Sequence, residues 1–352
     1  MGAKRGQATV TLRHVAEVAG VSAQTVSCVV NNTGSVSDDV RVRVREIADR
    51  LGYRPNLYAK AMRTGRSRTI GLVISDIRSP FFPTLAHEMQ KVTQMAGYSL
   101  LIVETDGTPD LVADRISTLR SLGVDGIVAT EAVPALFDLR IPTVMLAETS
   151  RALDSVTADD LAGGTMIAEH LLGRGHRKIA LVTSPREGCV QRRREGLLAR
   201  LKGEAEIVWE VTTPETDAIT QDVRRKLLKP GVTAIVCSTD EIAISVMHAL
   251  RELSISVPHD VSVVGFDDVQ WSSIVTPGLT TVRQPFAELV KHSVGLLLER
   301  IDKPKRRPRQ VKLPVVLVER DSVATVKTRD RRNTIPREQP EPRRVRQATR
   351  VV

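Results

Sequence analysis

The sequence has few of the features that mark several large classes of protein. Its three cysteines, Cys28, Cys189 and Cys237, lie far apart, which excludes a disulfide scaffold and a C-x-x-C metal cluster. No apolar run approaches the roughly 18 residues that a membrane-spanning helix needs. The first ten residues lack the apolar segment of a secretory signal, so we expect a soluble protein of the cytoplasm.

The motifs of common enzyme active sites are also absent. There is no G-x-x-x-x-G-K-[ST], no H-E-x-x-H, no G-x-S-x-G, and no G-x-G-x-x-G after a strand. We therefore predict a protein that is not an enzyme and uses no cofactor and no metal. The alternatives are an α/β enzyme or a solute-binding domain with an accessory DNA-binding head. A plain solute-binding protein would lack a basic head and would carry an export signal.

The charge of the chain is unevenly distributed along its 352 residues, a length that fits two or three domains. Residues 1–68 carry 12 Lys and Arg against 5 Asp and Glu, and residues 303–352 carry 16 against 5. The body between them is acidic, although the whole chain has a net charge of +10. This distribution favours polyanion binding at the two ends. For the tail, simple solubilisation is an equal alternative.

The hydrophobic pattern predicts an all-α head followed by an α/β core. Thr11, Ser22 and Ser37 are suited to cap three short helices, and Gly52 ends the third. Strand-like runs then alternate with amphipathic helices, which predicts two doubly wound parallel sheets completed by residues 285–301 and 313–318. The predicted strands are 70–74, 100–103, 126–129, 143–146, 179–182, 206–211, 234–236 and 261–264. The predicted helices are 82–96, 111–122, 161–172, 190–201, 215–228 and 241–253.

The strongest local signal is a helix-turn-helix pattern within residues 12–29. Ala16 supplies the small residue where two helices touch, and Gly20 tolerates the positive φ of the turn. The positions that face the other helix are apolar: Leu12, Val15, Val21, Val26 and Val29. The alternative is a small helical bundle that binds no nucleic acid. The outward positions of the second helix are Ser22, Ala23, Gln24, Thr25, Ser27 and Cys28, and Gln24 can pair bidentately with adenine.

From about residue 11 to residue 325, the sequence resembles the lactose/galactose repressor (LacI/GalR) family. The resemblance is carried by TLRHVAEVAGVS at 11–22, LGY-x-PN at 51–56, and TGRS-x-TIG at 64–71. It implies a helix-turn-helix head joined to a periplasmic-binding-protein-like core of two doubly wound parallel-sheet lobes. The implied division is head 1–55, hinge helix and linker 56–69, core 70–325 and a disordered basic tail 326–352. Within the core, the first lobe covers about 70–157 and 283–312, and the second about 158–282 and 313–325.

The resemblance also implies a hinge helix at residues 56–63 that inserts into the minor groove. Met62 stands where the family has a wedging leucine, and a thioether is apolar and flexible enough to open a base step. The alternative is that Met62 packs between linker and core. The DNA contacts expected around the wedge are Asn56, Ala59 and Lys60. Phosphate contacts are expected from Arg13, Ser22, Thr25, Ser27, Asn31 and Tyr53.

Cys28 departs from the family pattern, which usually has arginine or another long polar residue there. A thiol cannot read guanine as arginine does, so base readout should depend on Gln24 and the hinge. Ala23 can touch only a thymine methyl group. We expect Cys28 to fill space, with a redox role as the weaker alternative.

The core should bind a small effector between its lobes, where loops follow the carboxyl ends of strands. Asp76 and Asp267 follow predicted strands and can accept hydroxyls, and Arg193 matches the family's ligand-binding arginine. The other candidate effector contacts are Phe81, Phe82, Thr239 and Trp271. Structural alternatives exist, since Asp267 can cap a turn and Phe81 can simply pack.

Two positions that usually contact ligand in the family are altered, to Ala147 and Thr239, which argues against an ordinary hexose. The resemblance implies a repressor that binds a near-palindromic DNA operator as a C2 homodimer under effector control. The effector, and whether it releases or recruits DNA, stay open.

Overall fold

The computed structural model describes residues 10–54, 65–106, 108–131, 136, 140–185, 188–214 and 219–326. The predicted hinge helix, with Asn56, Ala59, Lys60 and Met62, lies outside the described residues, as does the tail from 327. Within the described residues, no helix is long and apolar enough to cross a membrane.

The head consists of three helices, α1 (Leu12–Ala19), α2 (Ala23–Val30) and α3 (Asp38–Arg50). The Thr11 hydroxyl accepts from the His14 amide and caps α1, whereas Ser37 makes no side-chain cap bond to α3. Gly20 ends α1 with φ of +64°, a conformation that favours glycine. Val15, Val26 and other apolar side chains from the three helices form one small core.

The first sheet has six parallel strands in the order β11-β5-β4-β3-β1-β2. Its β-branched strands are largely buried because helices cover both faces. Together these elements form the first lobe. The strands are β1 (Thr69–Ile74), β2 (Ser99–Glu104), β3 (Gly126–Ala129), β4 (Thr143–Leu146), β5 (Asp154–Ala158) and β11 (Gln310–Leu313). The helices are α4 (Phe81–Met95), α5 (Pro109–Ser121) and α10 (Phe286–Asp302).

The second sheet has four parallel strands in the order β7-β6-β8-β9. Beside it, β10 (Thr281–Arg283) and β12 (Val316–Val318) form a two-stranded antiparallel ribbon. With their helices they form the second lobe. The strands are β6 (Lys178–Thr183), β7 (Glu206–Thr212), β8 (Ala234–Cys237) and β9 (Ser262–Val264). The helices are α6 (Asp160–Gly173), α7 (Cys189–Leu201), α8 (Gln221–Leu227) and α9 (Asp240–Glu252).

The chain passes between the lobes three times, at Asp159, at Gln284–Pro285 and at Pro314. The predicted run 313–318 is therefore not one strand: Pro314 separates β11 of the first sheet from β12 beside the second. Residues 215–218 of the predicted helix 215–228 lie outside the described residues. Within the described residues the helix is shorter than predicted, since α8 begins at Gln221, capped by the Thr220 hydroxyl. The prediction of an α-helical head and two doubly wound parallel sheets is confirmed.

Candidate functional site

Helix α2 is amphipathic: its apolar face is buried in the head, and its polar face is turned to solvent. Val26 and Val29 are buried in the core of the head, while Gln24 is exposed. The Ser22 hydroxyl accepts from the Thr25 amide at 3.0 Å, which fixes the beginning of the helix. Ser22 and Gln24 are therefore both exposed at the N-terminus of α2, a position suited to contact an anion or the edge of a base.

The other predicted DNA contacts differ in their solvent exposure. Arg13 is exposed, and Ala23, Thr25, Ser27 and Asn31 are half-buried. The Asn31 side-chain amide donates to the Ser27 carbonyl oxygen at 2.8 Å, and the Asn31 backbone amide donates to the same oxygen at 3.0 Å at the end of α2. Tyr53 is only 9% exposed, its ring belongs to the core of the head, and burial raises the pKa of its phenol.

Cys28 packs against the loop that follows α2. Gly34 has φ of +70°, and a Cβ placed on it would lie 3.2 Å from the Cys28 sulfur. A half-buried thiol in this place fills the space under the loop, in agreement with the first interpretation of this residue.

A cleft lies between the two lobes at the carboxyl ends of their strands. The cavity within it measures about 30 Å³. Five of the seven predicted effector contacts line it: Phe81, Phe82, Arg193, Thr239 and Asp267. The structure thus brings together side chains that are separated by up to 186 positions in the sequence.

Arg193 lies in the wall of this cleft and is almost completely buried. Its Nε donates to Asp160 Oδ1 at 2.9 Å, and its Nη1 donates to the Ser238 carbonyl oxygen at 2.7 Å and lies 3.4 Å from Asp267 Oδ1. The guanidinium also lies 3.7 Å from the centroid of the Phe266 ring. Burial lowers the pKa of Arg193, but Asp267 and Asp160 outweigh it and the net shift is upward. The cation of the cleft wall is therefore already compensated by two carboxylates.

Asp267 is held in an uncommon backbone conformation, with φ of +120°. Its Oδ1 accepts from the Gln284 side-chain amide at 2.6 Å, and its own backbone amide donates to the Val282 carbonyl oxygen at 2.8 Å. These bonds aim the carboxylate at the cleft. A non-glycine residue with such a φ is often found at a functional site.

Asp240, the first residue of α9, is buried behind the cleft residues and accepts several hydrogen bonds. Its carboxylate accepts from the Val269 amide at 3.0 Å and from the Ser272 and Thr281 hydroxyls at 2.6 and 2.5 Å. Burial raises the pKa of Asp240, and these hydrogen bonds oppose the shift. The carboxylate thereby joins α9 to the loop that carries Asp267.

Two predicted effector contacts, Asp76 and Trp271, are not among the residues that line the cleft. The Asp76 carboxylate is bound by the Arg78 side chain, with distances of 2.7 to 3.1 Å. Trp271 lies in a short 3₁₀ helix, Gln270–Ser273, and is 50% exposed. Phe82 is fully buried against Phe81, so only part of this aromatic pair is available to a ligand.

Several cleft residues were missed by the sequence analysis. Glu148 follows β4, Thr130 follows β3, and Glu241 lies in the first turn after β8, so the strand-end rule that indicated Asp267 also applies to them. The remaining unpredicted lining residues are Ser79, Pro80, Ala147, Cys189, Val190 and Val269.

The described residues contain no group of three or more His, Cys, Asp or Glu side chains that could hold a metal ion. Carboxylates, hydroxyls and one guanidinium line a cleft with aromatic and aliphatic walls. This chemistry suits a small polar molecule that carries several hydroxyls.

Known protein families match both the head, which contains α2, and the part of the core that contains Arg193 and Asp267. Residues 11–56 match the family model "Bacterial regulatory proteins, lacI family", and residues 168–323 match the "Periplasmic binding protein-like domain". The ribose operon repressor of Escherichia coli K12 is 31% identical over 327 residues, covering 89% of this chain and 99% of the relative. The transcriptional regulator DegA of Bacillus subtilis is 33% identical over 343 residues, covering 90% and 99%.

Solved structures show the same similarity. The lac repressor dimer bound to operator and the anti-inducer ONPF superposes with a TM-score of 0.80 at 27% identity, covering 90% of this chain and all of that one. A LacI family regulator from Enterococcus faecium with bound ribose has a TM-score of 0.65 at 28% identity, covering 74% of this chain and all of that one.

Proposed function

Because the chain belongs to the LacI family of bacterial regulatory proteins, we propose that it is a cytoplasmic, homodimeric repressor that is not an enzyme. It is a sequence-specific DNA-binding transcriptional regulator whose core binds a sugar or related metabolite. The observation that carries the proposal is the presence, in one chain, of a capped reading helix and a polar cleft between two lobes. The lac repressor dimer on its operator supports a C2 dimer on a near-palindromic site.

The head and hinge residues proposed to contact DNA fall into two groups. Gln24 is exposed and is assigned to base readout, with Ala23 beside it. The hinge residues Asn56, Ala59, Lys60 and Met62 contact the minor groove, with Met62 as the wedge. The remaining proposed contacts, all in the head, are Arg13, Ser22, Thr25, Ser27, Cys28, Asn31 and Tyr53.

The effector is proposed to be a sugar-like molecule bound by Phe81, Phe82, Arg193, Thr239 and Asp267. Asp76 and Trp271 are weaker candidates because they do not line the cleft. Glu148 and Glu241 add carboxylate acceptors close to the altered family positions 147 and 239. Ribose repressors among the relatives, and ribose in the Enterococcus faecium structure, make D-ribose the first probe.

The proposed dimer needs a surface that the second copy covers. Trp271 and Ile274 are 50% and 65% exposed on one short segment of the second lobe. Adjacent large apolar side chains in solvent often mark a protein interface. We assign residues 70–325 to the effector-binding and dimerisation core, with the head at 1–55 and the linker at 56–69.

The test begins with selection of bound duplexes from a random DNA pool. Fluorescence anisotropy then measures the affinity for the selected operator and for a random duplex, with and without D-ribose and other metabolites. We expect a palindromic operator and an affinity that changes with at least one metabolite. Failure to prefer any palindrome would contradict the proposal, and so would an affinity that no metabolite changes.

A further inference from the structure

The backbone of the segment that enters the core from the head is bound by the carboxylate of Asp125. Asp125 lies directly before β3, and its Oδ1 accepts from the Ser67 amide at 2.7 Å and from the Ser67 hydroxyl at 3.0 Å. Its Oδ2 accepts from the Arg68 amide at 3.0 Å, and its own amide donates to the Thr69 carbonyl oxygen at 2.9 Å. Four hydrogen bonds therefore join the last linker residues to a single position of the first sheet.

These bonds impose an uncommon backbone path at the entry to β1. Arg68 has φ of +55°, a left-handed conformation that is unfavourable for a residue with a side chain. Its guanidinium lies 5.2 Å from the centroid of the Tyr98 ring, and the Ser67 hydroxyl accepts from the Thr69 amide at 3.2 Å. Such a conformation persists only where the surroundings determine it. Here the Arg68 amide is bound by Asp125, and the Arg68 carbonyl oxygen accepts from the Ser99 amide at 2.8 Å.

The position held by Asp125 is connected to the effector cleft by two paired strands. Asp125 directly precedes strand β3 (Gly126–Ala129), and Thr130, which directly follows it, lines the cleft. Strand β1 runs beside it from Thr69, and Val73 accepts hydrogen bonds from both the amide and the hydroxyl of Thr130. At a rise of about 3.3 Å per residue, the five steps from Asp125 to Thr130 separate the linker anchor from the cleft wall by about 16 Å.

We propose that Asp125 is the positioning residue that sets the direction in which the linker leaves the core, and that ties this direction to the wall of the effector cleft. A displacement of the cleft wall moves β3 as a unit and therefore moves Asp125 and the two linker amides. The proposal deepens the proposed function and rests on it, because it identifies how the core controls the DNA-binding head.

The first experiment compares Asp125→Ala with Asp302→Ala in the full chain. Asp302 is the matched control because it pairs with Arg66 of the same segment, at 2.8 Å, in an exposed ion pair. The probes are the operator selected by the parent chain and a random duplex of equal length. We expect Asp125→Ala to weaken operator binding about tenfold, since three donors lose a charged acceptor, and to leave random-duplex binding within about twofold. Asp302→Ala should stay within about twofold on both duplexes.

Hydrogen exchange separates positioning from a general loss of stability. In Asp125→Ala, the amides of Ser67 and Arg68 should exchange faster while those of β1 and β3 keep their protection. Asp125→Asn retains an acceptor and should restore part of the operator affinity. In the parent chain, operator binding should slow exchange at residues 67–69 and 126–130 together, because coupling between two sites is reciprocal.

An unchanged operator affinity in Asp125→Ala would overturn the proposal, as would equal losses on both duplexes or exchange that spreads through β1 and β3. A parent chain that selects no operator would overturn the proposed function, and this proposal with it. A parent that selects an operator while Asp125→Ala binds it normally would overturn this proposal alone.

Discussion

Replacing Arg193 by alanine tests whether this guanidinium holds the second lobe together in addition to lining the cleft. The side chain of Arg193 is 9% exposed and that of Asp160 is 2% exposed, so the pair is protected from solvent. Removing the cation leaves two carboxylates, Asp160 and Asp267, without their main partner. Loss of one member of a buried ion pair costs about 3–5 kcal/mol of folding free energy.

The structure favours the lower end of that range. Asp160 keeps Arg192, whose Nη2 lies 3.4 Å from its Oδ2, and Asp267 keeps the hydrogen bond from Gln284. We therefore expect Arg193→Ala to lower the free energy of unfolding of the second lobe by about 3 kcal/mol. The effector response should be lost as well.

Tryptophan fluorescence can follow the unfolding of the second lobe, because the chain has only two tryptophans, Trp209 and Trp271, and both lie in that lobe. Urea unfolding followed by this signal reports on that lobe. Arg194→Ala is the control: Arg194 pairs with Glu210 while both are about one-third exposed, so its loss should cost at most about 1 kcal/mol. Equal midpoints for the two variants would refute the argument that Arg193 stabilises the lobe.

Three further predictions concern separate parts of the chain. Gln24→Ala should weaken operator binding by about 1–3 kcal/mol and leave random-duplex binding nearly intact in anisotropy titrations; an equal loss on both would remove Gln24 from base readout. Gly164→Ala should destabilise the second lobe by about 1–3 kcal/mol in the urea assay, because its Cβ would lie 1.9 Å from the Arg193 carbonyl oxygen where α6 crosses α7; Gly173→Ala, with open space around it, is the control. Burial raises the pKa of Asp240 in the folded state, so its contribution to stability is greatest at acid pH and declines as pH rises from its ordinary pKa through the raised one. Asp240→Asn should remove this decline in unfolding curves measured from pH 4 to pH 8, and an unchanged pH dependence would contradict the assignment.

Much of the fold could be predicted because its strands are β-branched runs between amphipathic helices. All eight predicted strands are present, and their bounds differ from the observed ones by at most one residue. The pattern failed where burial depends on partners distant in sequence. Strand β5 begins with Asp154, which is buried only because Arg300 and Arg306 bind its carboxylate at 2.7 to 2.9 Å from over 140 positions away. No local signal marks such a strand.

The cleft could be predicted only in part, for a related reason. Rules about strand ends identify positions near the cleft, but they do not say which polar side chains are already engaged. Asp76 satisfied the rule and yet binds Arg78, two residues away. Arg193 was predicted as a clamp for the ligand, whereas its Nε and Nη1 are bound by Asp160 and Ser238. Sequence identifies the residue type, and three-dimensional packing determines what remains free to bind.

The triple passage between the lobes has a consequence for how the chain is made. The first sheet lacks its edge strand β11 until residue 313 has left the ribosome, although its other five strands are complete by residue 158. The second lobe is also incomplete until residue 322 is made, since the Val263 amide donates to the carbonyl oxygen of Ser322. A nascent chain that stops before residue 310 thus has a complete head but neither lobe finished. Premature termination there would release a DNA-binding domain without its regulator.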